Sequence, residues 1–369
     1  MLLFTPGPTP VLESVRQAMA TPTLHHRTPE FESIFAQARG KMIDMFGMDE
    51  CVFLASSGTG AMQACMLNLC HTKALTVKAG KFGERFGKIA DALHIPKVEL
   101  SYSWDTPASV EDIKQALISN LDIDAIFIQI CESAGGLRHP VEEIAKVAKS
   151  INKDIMVIAD GITAVGVEPI DTTHIDALIA GSQKAFMLPP GLAMIGLSSV
   201  AVDKIGGGRD FYFNLATEIK NQQKNTTAWT ATTTLIAGLN AMLDEIEKSG
   251  GRQHLFSQTR KRAKATLGAL KGLNLHIYPS SPALSMSTVI DDDAEAIRKL
   301  LKTKYGVNIA GGQDHLKGKI FRINQMGLIP VHESAWVVNA IELALDDLGR
   351  RDFDGTASKI FSEIYFEEN

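Results

Sequence analysis

Cysteine and aromatic residues are scarce in this chain, and it has no long apolar run and no basic tract. Only four cysteines occur in 369 residues (Cys51, Cys65, Cys70 and Cys131), and none stands in C-x-x-C spacing. That excludes a disulfide framework and points to reduced, mostly buried thiols in a reducing compartment. No apolar run reaches the ~18 residues of a membrane helix, and no charged segment followed by an apolar one opens the chain. A cytoplasmic protein without membrane contact is expected. With a net charge of −5 and no basic stripe, nucleic acid is also a poor candidate partner. The sequence lacks a Ser-His-Asp order, an H-E-x-x-H motif, a kinase signature and a Walker loop. His25-His26 has no Cys, Asp or Glu nearby at ligand spacing, so no metal site is expected.

What is present is an ordinary globular composition, 45% hydrophobic and 21% charged, on a chain too long for one typical core. One large domain with a smaller one is expected. Met1 to Pro10 is punctuated by Pro6, Gly7, Pro8 and Pro10 and reads as an extended arm. Short and longer helical patterns follow at Ser14–Ala20 and Glu30–Phe46. From Cys51 onward, apolar β-branched runs at 52–55, 74–77, 98–100, 125–130 and 155–159 alternate with helical patterns at 61–70, 82–93, 110–118 and 141–151. Such alternation implies right-handed crossovers and a mainly parallel sheet between helices. Shorter runs near 176–180 and 192–197 leave little room for helices and predict an antiparallel addition to that sheet. A loop-rich region (Gly206 to Gly208, then Asn221 to Thr234) precedes helical patterns at 235–248 and 253–270. The text then reads strand, strand, helix, strand, helix up to Leu348, a compact α+β unit.

Several residues could carry chemistry. Lys184, at the exit of Ala177-Leu178-Ile179-Ala180-Gly181-Ser182-Gln183, is either a snorkelling lysine or a Schiff-base lysine whose amine burial would keep neutral. Neutrality near pH 7 requires a shift of about three pH units, roughly 4 kcal/mol. Ser56-Ser57-Gly58-Thr59-Gly60 follows a strand and opens a helix, so it is a plain turn or a phosphate site. Asp160 ends an apolar strand, where open α/β sheets bind ligands, but it would also suit a turn. Phe82 begins a helix on the same rim, and could stack on a flat ring or pack into the core. Ser133 supplies a further small polar group there. Arg322, inside Ile320-Phe321-Arg322-Ile323-Asn324, suits either a bidentate grip on a carboxylate or a surface ion pair. His25-His26-Arg27 lies on a loop that could hold an anion, line a substrate pocket or simply face solvent.

Taken together and in order, these pieces resemble the class V aminotransferases of the fold type I pyridoxal-phosphate superfamily, closest to the alanine–glyoxylate and serine–glyoxylate branch. The resemblance runs from Thr5-Pro6-Gly7-Pro8-Thr9-Pro10 to Gly318-Lys319-Ile320-Phe321-Arg322. Its most specific parts are Ser182-Gln183-Lys184-Ala185 with Pro189-Pro190-Gly191, and Asp160 placed 24 positions before Lys184. Ser57-Gly58-Thr59-Gly60 and Gly80-Lys81-Phe82-Gly83-Glu84-Arg85 also match. It implies an α/β fold: a large domain (21–250) with a mainly parallel seven-stranded sheet, a smaller α+β domain (251–369), and an arm (1–20) packing on the latter and on the active site.

By position, the resemblance implies pyridoxal 5′-phosphate held on Lys184 as an internal aldimine, with Asp160 pairing the pyridinium nitrogen. Thr59, Gly60 and Ala61 would hold the phosphate, Phe82 would stack on the ring, and Ser133 and Gln183 would lie near its hydroxyl. Arg322 would take the substrate carboxylate, with Gly7, His26 and Arg27 completing the substrate pocket. Thr230 matches a position that reaches the partner subunit's phosphate, which implies a homodimer with shared active sites. The family's usual proline after that threonine is Ala231 here. The expected reaction moves an amino group from a small amino acid (alanine or serine type) to a 2-oxo acid such as glyoxylate or pyruvate. Phosphoserine or aminoethylphosphonate transamination is an alternative, because His26-Arg27 could receive a phosphate or phosphonate, and a non-catalytic cofactor-binding accessory subunit is another. A cysteine desulfurase needs a cysteine on a loop of the C-terminal half, and every cysteine here precedes residue 132.

Overall fold

The computed structural model describes residues 1–367. In chain order its strands begin with β1 (Leu2–Phe4), β2 (Glu50–Leu54), β3 (Lys73–Lys78), β4 (Lys97–Ser101), β5 (Ile123–Gln129), β6 (Cys131–Glu132) and β7 (Leu137–Arg138). They continue with β8 (Met156–Asp160), β9 (Ala177–Gly181), β10 (Ala193–Leu197), β11 (His276–Ile277), β12 (Met286–Ile290), β13 (Val307–Gly311) and β14 (Ile320–Asn324).

The larger sheet has seven strands in the order β2-β10-β9-β8-β5-β3-β4. Only β10 runs against its neighbours, β9 and β2, so the antiparallel addition lies inside the sheet. Side chains alternate across it. Ile126, Ile128, Val157, Leu178 and Ala180 join one buried layer with Phe35 and Met42 of helix Pro29–Phe46. Ala125, Phe127, Ile158 and Ile179 join the other, with Met62 and Met66 of helix Gly58–Leu69 and Phe86 of helix Lys81–Ala92. Burial on both faces is why the central strands read as continuous apolar runs. Helix ends follow local chemistry. Thr28 caps the Phe31 N–H and Pro29 occupies the first turn, while Gly47 ends the helix in a left-handed conformation (φ 64°).

The second sheet, β1-β13-β14-β12-β11, packs on helices Gly251–Gly272, Ala294–Thr303, Val331–Asp347 and Thr356–Phe366. Here the extended arm becomes a strand of the second sheet, because Leu2–Phe4 pairs in parallel with Val307–Ile309 and buries Phe4. Strand β13 carried no sequence expectation, being short, flanked by Gly306 and interrupted by Asn308. Helices Ser199–Ile205 and Leu215–Gln222 likewise occupy stretches without a predicted element.

Candidate active site

Because β2, β3, β5, β8 and β9 all point the same way, their C-terminal ends open on one edge of the sheet. β2 runs into Ser56–Gly60, β3 into Lys81-Phe82, β5 into Glu132-Ser133, β8 ends on Asp160, and β9 leads to Lys184.

The lysine sits in a loop closed on itself. Ser182 donates its N–H to Leu192 O (3.0 Å) and its hydroxyl to Pro189 O (2.7 Å). The N-terminal arm clamps the same loop. Thr9 N–H donates to Gln183 O (3.1 Å), and the Thr9 hydroxyl donates to Lys184 O (2.7 Å). The Lys184 amine donates to Pro6 O, with Gly7 beside it in a left-handed conformation (φ 101°). Gln183 is half-buried next to the lysine.

Electrostatics set this lysine apart from a snorkelling one. Burial lowers the Lys184 pKa to about 8, aided by the Arg322 and Arg85 charges and opposed by Asp160. Asp160 is 4% exposed, and burial raises its pKa to about 6 against the Ile162 N–H, Arg85 and Lys184. One Asp160 oxygen accepts from Ile162 N–H at 3.0 Å; the other accepts none of the described hydrogen bonds. A cationic N–H donor placed there would supply the missing partner.

A second group of donors lies at the end of β2, two strands from β9 in the sheet. Helix Gly58–Leu69 has no side-chain cap, so the N–H groups of Gly58 and Thr59 point outward without a described partner. A side chain at Gly60 would run into Ser56 Oγ, and Ala61 is buried in the same turn. Arg85 Nη1 donates to Thr59 Oγ1 at 2.8 Å, and its guanidinium stands 4.7 Å from the centre of the Phe82 ring. A positive charge beside free helix N–H groups suits an anion such as phosphate.

Arg322 closes the site from the second sheet. It is 7% exposed and has no carboxylate partner among the described residues, so it is no surface ion pair. Its Nε and Nη2 donate to Gly311 O and its Nη1 to Ser133 O, while burial lowers its pKa to about 10. Thr230 lies elsewhere, exposed on a loop lining a cleft with Ala55, Tyr212 and Trp229. His26 and Arg27 occupy an outer loop, where the His25 and His26 rings lie 4.7 Å apart, and their side chains make no described hydrogen bond to the Lys184 group. Thr9, Arg85 and Glu132 have no role in the sequence reading. Arg85, one helical turn after Phe82, was the most findable, whereas Thr9 meets the lysine loop only through the folded arm.

The chain matches the family model described as Aminotransferase class-V over residues 3–327. It belongs to the class V aminotransferases. An uncharacterized aminotransferase of Helicobacter pylori is 50% identical over 367 residues, covering 99% of this chain and all of the relative. A serine–glyoxylate aminotransferase of Hyphomicrobium methylovorum is 28% identical, covering 100% of this chain and 95% of that one. An aspartate aminotransferase structure from Thermus thermophilus superposes with a TM-score of 0.88 at 28% identity, covering 94% of this chain and 99% of that one.

This class V aminotransferase is a pyridoxal-phosphate enzyme of fold type I acting on amino acid and 2-oxo acid substrates. Its own residues fit that cofactor. The free Asp160 oxygen suits a ring N–H, the uncapped helix with Arg85 suits a phosphate, and a lysine depressed to about 8 suits capture of an aldehyde. Among the described residues no helix is long and apolar enough to cross a membrane, and no cluster of three potential metal ligands occurs.

Proposed function

We propose that this enzyme moves an amino group from a small amino acid of the alanine or serine type to a 2-oxo acid such as glyoxylate or pyruvate. The observation that carries the reading is the Lys184 amine, largely desolvated between Asp160 and Arg322. Relatives described as serine–glyoxylate aminotransferases, from Hyphomicrobium methylovorum and Methylorubrum extorquens, support it.

In this reading pyridoxal phosphate supplies the aldehyde that Lys184 holds and an electron-accepting ring. Asp160 would hold a protonated ring nitrogen, and Phe82 would pack against the ring. Thr59, Gly60 and Ala61 hold the phosphate at the helix start. Ser133 and Gln183 flank the ring hydroxyl. Arg322 grips the donor carboxylate and so orients its α-C–H toward Lys184 Nζ. Lys184 Nζ would be the base that takes that α-proton and the acid that gives it back. Gly7 leaves the room in which the amine moves.

The enzyme is proposed to work as a cytoplasmic homodimer with shared sites. Exposed Phe211 (78%) and Tyr212 form an aromatic cluster with half-buried Trp229, the Phe211 and Trp229 ring centres 4.7 Å apart. It adjoins the Ser56–Gly60 turn, since Tyr212 OH donates to Ala55 O, and it carries Thr230 alongside. A second copy seated there would bring Thr230 to its phosphate. Half-buried His26 and exposed Arg27, free of described ion pairs, would complete the side-chain pocket. We expect the large domain to span 21–250 and the small one 251–369, with the arm 1–20 joining them.

Single-turnover spectra with a donor panel test the reading. Alanine or serine should convert the bound cofactor fastest. Faster conversion by phosphoserine or aminoethylphosphonate would reassign the donor.

A further inference from the structure

Glu132 lies at this rim, wholly buried, and the reaction described above makes no use of it. Its Oε2 accepts from Phe82 N–H (3.0 Å) and Gly83 N–H (2.8 Å), and its Oε1 from Ala134 N–H (3.0 Å). Helix Lys81–Ala92 has glycine at its cap position and no side-chain cap of its own. A carboxylate 50 residues away in sequence therefore serves its first turn, at the positive end of the helix dipole.

The surroundings are built for this contact. A β-carbon on Gly80 would overlap the Glu132 Cγ and Cδ, although the Gly80 backbone is extended and open to any residue. Gly80 is thus needed for space. Gln129 Nε2 holds the other side of the same residue, donating to Phe82 O at 3.0 Å. At the far end, the residue after Glu132 is Ser133, whose carbonyl accepts from Arg322 Nη1.

A serine at the cap position would close this helix without burying a carboxylate. Burial is costly here, raising the Glu132 pKa to about 7 against three N–H donors. What a local cap lacks is reach, because only the remote carboxylate joins the Phe82 segment to the Ser133 turn.

We propose that Glu132 is a positioning residue that holds the ring-covering Phe82 and the Ser133–Arg322 carboxylate grip in one register. The inference rests on the roles assigned to Phe82 and Arg322 under the proposed function. Glu132→Gln is near-isosteric but has one accepting oxygen in place of two, so it serves either the Phe82 and Gly83 side or the Ala134 side.

The test uses apoprotein titrated with pyridoxal phosphate, steady-state KM and kcat for the amino donor, and the thermal midpoint of each variant. Glu132→Gln should weaken cofactor binding or raise donor KM by about tenfold or more, the scale of one lost charge-assisted hydrogen bond. Gly80→Ala, which displaces the carboxylate without altering it, should act in the same direction. On a Glu132→Ala background the same Gly80→Ala change should have no further effect on either constant. If Glu132→Gln and Gly80→Ala lower the thermal midpoint but leave cofactor affinity and KM within about twofold, Glu132 is only a helix cap and the proposal fails. If wild-type protein binds no pyridoxal phosphate, the proposed function itself has failed, whatever the Glu132 variants do.

Discussion

Gly7 lies so close to Lys184 that a β-carbon there would stand 2.6 Å from both Cδ and Nζ of the lysine. The lysine end is flexible and can yield, but yielding moves the reactive amine. The φ of 101° adds strain for any side chain. Gly7→Ala is therefore expected to fold with a stability loss of about 1–2 kcal/mol. It should also slow capture of pyridoxal phosphate by the apoprotein, followed by stopped-flow absorbance.

The Lys184 amine should titrate near pH 8 in the apoprotein. An amine-selective reagent should modify it with that pH dependence, and the labelled peptide should vanish in Lys184→Ala. Between about pH 8 and the ordinary 10.5 the unfolded chain holds more protons at this residue than the folded one. Its contribution to stability thus rises with pH across that window.

Asp160 works in the opposite direction. Its folded pKa of about 6 lies above the ordinary 3.8, so the folded apoprotein holds the extra proton between those values. The penalty for burying the charge grows as pH rises through the window and is complete above it, amounting to roughly 3 kcal/mol. Asp160→Asn apoprotein should therefore gain stability relative to wild type as pH rises from 4 to 6, measured by urea unfolding. The same variant should lose activity by about 100-fold or more, through loss of the charged partner to the ring nitrogen.

Arg322→Ala should raise KM for every carboxylate-bearing donor by about 10- to 100-fold, the scale of a charge-assisted hydrogen bond, with a smaller change in kcat. Removal of the guanidinium also leaves Gly311 O and Ser133 O without this donor, so a fall in thermal midpoint is expected alongside. An unchanged KM would assign the carboxylate to another group.

Much of the fold was legible because its signals are local. Strands buried on both faces leave apolar runs, and the helices between them carry their own periodicity. Asp160 and Lys184 were legible for the same reason, each standing just past such a run. Glu132 was not, since its partners Phe82 and Gly83 are brought to it by the placing of β5 beside β3, which no spacing in the sequence reveals. Thr9 likewise depends on where the arm lands, and β1 and β13 identify each other only by pairing. Arg322 was legible as an arginine inside a strand, gripping a carboxylate or in a surface ion pair, but its carbonyl partners on Gly311 and Ser133 come from β13 and the turn after β6.

Borohydride reduction of the pyridoxal-phosphate-loaded enzyme, followed by peptide mass analysis, addresses the role of Lys184 directly. The reduced cofactor should be found on the peptide containing Lys184 and be absent from Lys184→Ala. A label on a different lysine, or none on wild-type enzyme, is incompatible with Lys184 as the residue that carries the cofactor.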